Sequence, residues 1–230
     1  MGSTSTKIAA LFLFAIAAAG HSHATEHPLV QLEGLGLRFE VKVSQSAKVE
    51  PATSSEPYPT LKIESAGDEE DVVVQAKGKS GKVLWSQSFG YNSSAANHVS
   101  VQSSTTLDAV IVHHHGYKWD WTRVLLLVAR TKEKTGDVKV TPYQPDALLK
   151  TLEKHRQFRA GTKYIIAPLG FSGDRVKFEC IPIAPDGAAH PFNQDHTQWF
   201  TIEAELDAHR NVIPVRVVPA VEANSEDQNK

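Results

Sequence analysis

Hydrophobic and polar residues alternate with a period of two along most of the chain. In "RVKFECIPI", for example, Val176, Phe178 and Cys180 fall on the same side of an extended segment. This period is typical of β-strands that bury one face. It predicts strands at Leu37–Val43, Thr60–Glu64, Asp71–Ala76, Lys82–Ser88, His98–Gln102, Leu107–His114, Lys118–Arg130, Asp137–Pro142, Thr162–Pro168, Arg175–Ile183, Gln198–Leu206 and Asn211–Val218.

One segment departs from this period and predicts a helix at about residues 145–158. The stretch "DALLKTLEKHRQF" places Leu148, Leu149 and Leu152 on one stripe, with Asp146 at its start and basic residues near its end. That order of charges is favourable for the helix dipole. The sequence therefore predicts an all-β fold, a mainly antiparallel β-sandwich with one covering helix. A barrel or a partial β-propeller is the alternative.

We predict one β-rich domain at residues 25–220. The predicted helix could also separate this region into two modules, 25–142 and 160–220. The stretches "SQSAKVEPATSSEPYPT" and "GYNSSAANH" are rich in small and polar residues and predict loops. The tail at 221–230 contains little apolar surface to bury, so we expect it to be disordered.

The first 24 residues have the pattern of a signal peptide. Lys7 precedes an unbroken apolar run of 12 residues, Ile8 to Ala19, which is shorter than the about 20 residues of a membrane span. Small residues at Ser22 and Ala24 predict cleavage after Ala24. We therefore expect a periplasmic or secreted protein with no transmembrane anchor.

Charge and cysteine content narrow the class further. The formal net charge of −2 at pH 7 does not suit a nucleic-acid-binding protein. The one cysteine, Cys180, cannot form an intramolecular disulfide, which fits a bacterial exported protein better than a small eukaryotic secreted domain. Its place on an apolar strand face predicts a buried core thiol, with a reactive or intermolecular thiol as the alternative.

The stretch "AVIVHHHGYKWDWTRVLLLVAR", residues 109–130, predicts a β-hairpin with its turn at His115-Gly116 or Gly116-Tyr117. Either turn gives the same two faces. One face is predicted to carry Val110, Val112, His114, Tyr117, Trp119 and Trp121 towards the core. The other is predicted to carry Ile111, His113, His115, Lys118 and Asp120.

A zinc or copper site is one prediction for this hairpin. His113 and His115 are alternate residues of one strand, so their imidazoles project to the same side, and imidazole is a ligand for both metals. Asp120, opposite His113 in one of the two registers, is the predicted third ligand or orienting partner. Further ligand candidates are His98, His190, Asp195 and His196. The ammonium group of Lys118 on the same face is unfavourable for a cation.

The two tryptophans have two interpretations. Core packing of Trp119 and Trp121 against β-branched residues is the simpler one. The other is an exposed stacking platform for sugar rings, which would make the chain a carbohydrate-binding module.

The sequence contains no phosphate-binding loop, dinucleotide fingerprint or nucleophile elbow. In "GFSGD" the glycine follows Ser172 directly, and the adjacent Asp195 and His196 do not by themselves form a catalytic pair. We therefore predict a non-catalytic exported protein that binds a protein or glycan partner or another ligand through loops on a β scaffold. Metal binding and carbohydrate binding are the alternatives.

Overall fold

The computed structural model describes residues 24–52, 58–64, 72–90, 96–116, 121–131, 137–152, 163–183 and 200–219. The described residues form strands, one short α-helix and one turn of 3-10 helix at Glu33–Leu35. The strands are β1 Ala24–Leu32, β2 Leu37–Ser44, β3 Lys48–Pro51, β4 Thr60–Glu64, β5 Val72–Gly78, β6 Val83–Phe89, β7 Asn97–Ser104, β8 Ala109–His115, β9 Trp121–Arg130, β10 Val138–Pro142, β11 Lys163–Ser172, β12 Arg175–Ile183, β13 Phe200–Leu206 and β14 Val212–Pro219.

These strands form three antiparallel sheets. The first sheet has the strand order β1-β2-β5-β6, the central sheet β10-β9-β8-β7-β4-β3, and the third sheet β11-β12-β13-β14. Antiparallel neighbours need only short connections, which is why one helix suffices among so many strands. The prediction of an all-β, sandwich-like fold with one helix is confirmed.

The central sheet contributes residues to two hydrophobic cores, one on each of its faces. The first core joins Phe39 and Val74 of the first sheet to Val112 of β8. The second core joins Ile111 of β8 to Phe178 of the third sheet. Successive residues of a strand project to opposite sides, so the apolar run of β8 contributes alternately to both cores. Each such fully buried side chain stabilises the fold by about 1.5–3 kcal/mol.

The helix α1, Asp146–Leu152, belongs to the second core. Leu148 and Leu152 are buried there beside Ile202. The predicted helix extends to residue 158, and residues 153–158 lie outside the described part of the chain. Among the described residues, no helix has the length and apolar character needed to cross a membrane.

Two strands were not predicted from the sequence. β3, Lys48–Pro51, lies within the stretch that was predicted to be a loop, and it pairs with β4 at the edge of the central sheet. The loop prediction is wrong there. It followed the small and polar composition of the stretch, whereas Val49 packs against the first core and so favours a strand. β1 is an edge strand that contains Pro28, at a bulge where the register with β2 shifts. Proline is tolerated in such edge positions.

Candidate metal centre

The hairpin of β8 and β9 forms as predicted, but its turn is longer than predicted. His115 pairs with Trp121, and His113 pairs with Arg123, so residues 116–120 connect the two strands. The predicted two-residue turn at Gly116 is therefore wrong, and the register differs from it by an odd number of residues. An odd shift moves every residue of the second strand to the opposite face. Arg123, rather than Asp120, lies across from His113.

The three consecutive histidines have different surroundings. His114 is 2% exposed and stacks on Phe89 of the first sheet, with ring centroids 4.9 Å apart. This agrees with its predicted core position. His115 is exposed, whereas His113 is half-buried and its Nε2 atom is buried without a hydrogen-bond partner. The prediction assigned only the opposite face to the core, but the face of His113 is covered as well, because the third sheet packs over it.

His98 on β7 lies directly opposite His115 on β8. Their ring centroids are 6.3 Å apart and the rings are nearly perpendicular, at 86°. Residues directly opposite each other in an antiparallel pair project to the same face of the sheet. The strand order of the central sheet therefore brings together two imidazoles that are distant in sequence.

Lys62 on β4 is the next residue across the sheet from His98. Partial burial of His98, and secondarily the charge of Lys62, lower the pKa of its imidazole. Lys62 itself forms ion pairs with Glu64 and, at 3.6 Å, with Glu50. Its positive charge is therefore compensated by two carboxylates.

His113 lies beside the ion pair of Arg123 and Glu179. Arg123 Nη1 donates to Glu179 Oε2 at 3.1 Å, a contact that links the central sheet to β12 of the third sheet. Burial, and secondarily the charge of Arg123, lower the pKa of His113 to about 4. The imidazole of His113 is therefore neutral at pH 7.

Several of the predicted site residues lie outside the described residues: Asp120, Trp119, His190, Asp195 and His196. Only the backbone of Trp121 is described, opposite His115. The sugar-binding platform therefore stays a prediction. Within the described part of the chain, no group of three or more His, Cys, Asp or Glu side chains converges on a single metal position.

The sequence singled out His98 only as one of several distant candidates and did not single out Lys62, Arg123 or Glu179. Alternation places residues on a face, but only the pairing of β7 with β8 places His98 against His115. No protein-family model, curated protein or solved structure matches the chain.

Proposed function

We propose that the chain is a non-catalytic exported binding protein whose ligand is a zinc or copper ion held by His98 and His115. The observation that carries this proposal is the cross-strand pair of imidazoles, with centroids 6.3 Å apart on one face of the central sheet. With zinc–nitrogen bonds of about 2.0–2.1 Å, two imidazoles that share one ion have centroids about 5–6 Å apart. The observed separation of 6.3 Å is slightly longer, so the two rings have to approach each other for both to reach one ion.

The protonation state supports the proposal. A metal binds the neutral imidazole, so a proton on the ring has to leave first. The lowered pKa of His98 favours this neutral form. His113, two residues before His115 on the same strand, has a lowered pKa as well and a buried Nε2 atom without a partner.

Carboxylates offset part of the positive charge near the pair. Lys62 is paired with Glu64 and Glu50, and Arg123 is paired with Glu179. These ion pairs reduce the repulsion that the two cations would exert on a metal ion. Two protein ligands leave coordination positions of the ion open to water or to another ligand.

The proposal of export rests on the amino-terminal sequence, in which Lys7 and the apolar run from Ile8 to Ala19 precede small residues at Ser22 and Ala24. Cleavage after Ala24 would give a mature chain that begins at Thr25. Sequencing the amino terminus of the protein recovered from its native host tests this part of the proposal.

Calorimetric titration of the untagged protein with Zn²⁺ and with Cu²⁺ tests metal binding. We expect one ion per chain, and we expect His98→Gln and His115→Gln each to weaken binding by roughly tenfold or more, because each removes a ligand. His209→Gln, which changes an exposed histidine in the turn before β14, is the matched control and should bind as the wild type does. The proposal would be contradicted if neither ion bound, or if the wild type and the three variants bound the ion with equal affinity.

A further inference from the structure

A second candidate site lies at the other end of β9. Two cavities, of 490 and 330 Å³, share Glu33, Gly36 and Lys79 in their linings and therefore adjoin. They lie where the 3-10 helix meets the turn after β5 and the start of β10. Arg130, which lines the smaller cavity, ends β9, whereas Trp121 beside His115 begins it. At 3.3–3.4 Å per residue the two sites are about 30 Å apart.

One wall of the smaller cavity is held in place by Asp137. The amide nitrogen of Ser80 donates to Asp137 Oδ1 at 3.1 Å, and the Ser80 hydroxyl donates to Oδ2. Thr131 Oγ1 donates to the Asp137 backbone carbonyl at 2.6 Å. Both oxygens of the Asp137 carboxylate thus already accept hydrogen bonds from Ser80.

Gly36 and Gly78 form part of the lining. Gly36 has a left-handed φ of 67°, and its amide closes the turn by donating to the carbonyl of Glu33 at 3.0 Å. At Gly78 a Cβ atom would lie 2.3 Å from Asp137 Oδ1. Both glycines therefore contribute only backbone atoms to the lining.

The remaining charged groups of the lining are three cations and one carboxylate. Arg38 and Lys79 line the larger cavity, and Lys79 and Arg130 line the smaller one, with Glu33 in both. Arg38 Nε is 3.0 Å from Glu40. Lys79 and Arg130 form no ion pair with any residue of the described part of the chain.

We propose that this double cavity binds a small organic anion, a phosphate ester or a carboxylate, through Lys79 and Arg130. A guanidinium group presents a fork of donors that fits the oxygens of either anion, and an ammonium group adds a point charge. The carboxylate of Glu33 is left to accept a hydrogen bond from a hydroxyl group of the same ligand. The volume of the larger cavity, 490 Å³, is that of a small-molecule site.

Calorimetric titration of the metal-free protein at low ionic strength tests this proposal, with glycerol 3-phosphate and citrate as the probes. The double variant Lys79→Gln/Arg130→Gln should weaken binding of the preferred probe by roughly tenfold or more, because charge-assisted hydrogen bonds are lost. The control Lys139→Gln/Lys150→Gln also removes two positive charges, but at exposed positions outside the cavity. It should change the affinity for the probe by less than about twofold.

The preferred probe identifies the chemistry of the anion. If neither probe binds, the proposal is overturned. An equal loss of affinity in the two double variants would also overturn it, because it would indicate attraction by overall charge. Thermal unfolding of each variant shows that it is folded. If the double variant does not fold, the single variant Lys79→Gln, in the exposed turn after β5, gives the same comparison with Lys139→Gln. The outcome is independent of His98 and His115, which remain unchanged.

Discussion

The guanidinium of Arg210 donates a 2.7 Å hydrogen bond from Nη2 to the backbone carbonyl of Asp108, 102 residues earlier in the chain. The same nitrogen also donates to the carbonyl of Val128 at 3.2 Å. Arg210 lies in the turn between β13 and β14, whereas Asp108 precedes β8 and Val128 lies on β9. One side chain therefore ties a turn of the third sheet to the central sheet.

These two residues share an unusual backbone conformation. Asp108 and Arg210 have φ angles of 45° and 67°, and within the described residues they are the two non-glycine residues with positive φ. Such conformations cost free energy and persist only where the surroundings hold them. The hydrogen bond joins the two strained turns, so each helps to hold the other.

We expect Arg210→Ala to lower the free energy of unfolding by about 1.5–3 kcal/mol, because hydrogen bonds from a charged donor to partly buried carbonyls are lost. Alanine at this position would retain the same strained φ. The difference in the free energy of unfolding between the two proteins is therefore due to the loss of the arginine side chain. Asp108→Gly is the control, since it keeps the carbonyl that Arg210 binds and relieves the positive φ. It should leave stability unchanged or slightly raised in urea unfolding. A larger loss in Asp108→Gly than in Arg210→Ala would contradict this interpretation.

Gly78 and Asp137 give a second prediction. A Cβ atom at residue 78 would lie 2.3 Å from Asp137 Oδ1, so Gly78→Ala has to displace the carboxylate from Ser80. We expect a loss of about 1.5–3 kcal/mol in the free energy of unfolding, measured by urea titration. Gly90→Ala is the matched control, because nothing lies within 4 Å of its new Cβ. It should stay within about 0.5 kcal/mol of wild type.

A double-mutant cycle separates this clash from other effects. In the Asp137→Ala background the obstructing carboxylate is absent, so Gly78→Ala should cost clearly less than in the wild type. A residual cost remains from Leu84 Cδ1, which would lie 3.1 Å from the new Cβ. Additive losses in the cycle would show that the contact with Asp137 is not the cause.

Most of the strands could be predicted because alternation is a local property. In β12 Val176, Phe178 and Cys180 are buried, and the residues between them are only partly buried. β1 lacks this alternation of apolar residues, adjoins the apolar amino-terminal segment and contains Pro28, so the sequence did not indicate a strand there.

The layering of the sheets and the register of the hairpin could not be predicted in the same way. Alternation identifies a buried face but not the sheet that covers it, so the burial of His113 beneath the third sheet was missed. The register depends on where the chain turns back, and the observed pairing of His115 with Trp121 differs from the pairing that a tight turn at Gly116 predicts. The contact of His98 with His115 depends on strand order, which a period of two does not encode.

Cys180 provides a test of the second core. It is the only cysteine of the chain, it is fully buried on β12, and burial raises the pKa of its thiol to about 12. Because the thiolate is the reactive form, we expect no reaction with a thiol-specific chromogenic reagent at pH 8 in the native protein. Stoichiometric reaction should appear across the urea unfolding transition.

An exposed thiol is the control for the reagent. Ser103 is exposed on β7, so Ser103→Cys in a Cys180→Ala background should react at once in the folded state. Rapid labelling of Cys180 in the native protein would show that the packing of β12 against α1 and the central sheet is not closed. It would favour the alternative prediction of a reactive thiol.

The outer face of the first sheet gives a prediction on pH. Glu26 accepts hydrogen bonds from Lys42, at 2.8 Å, and from Lys77, at 2.9 Å, and these bonds lower the pKa of its carboxyl to about 2. A carboxyl whose pKa is lower in the folded state than in the unfolded state stabilises the fold at high pH. This contribution should be complete above about pH 4.5 and should vanish as the pH falls through about 2.

Urea unfolding of wild type and Glu26→Gln between pH 7 and pH 2 tests this prediction. The wild type should be the more stable protein at pH 7, and the difference between the two should shrink steadily below about pH 4.5 as the carboxyl of Glu26 is protonated in the unfolded chain. Glu33→Gln removes the same charge from the exposed 3-10 helix and controls for the change in net charge. A wild-type advantage that stays constant down to pH 2 would show that the contacts of Glu26 with Lys42 and Lys77 do not depend on its charge.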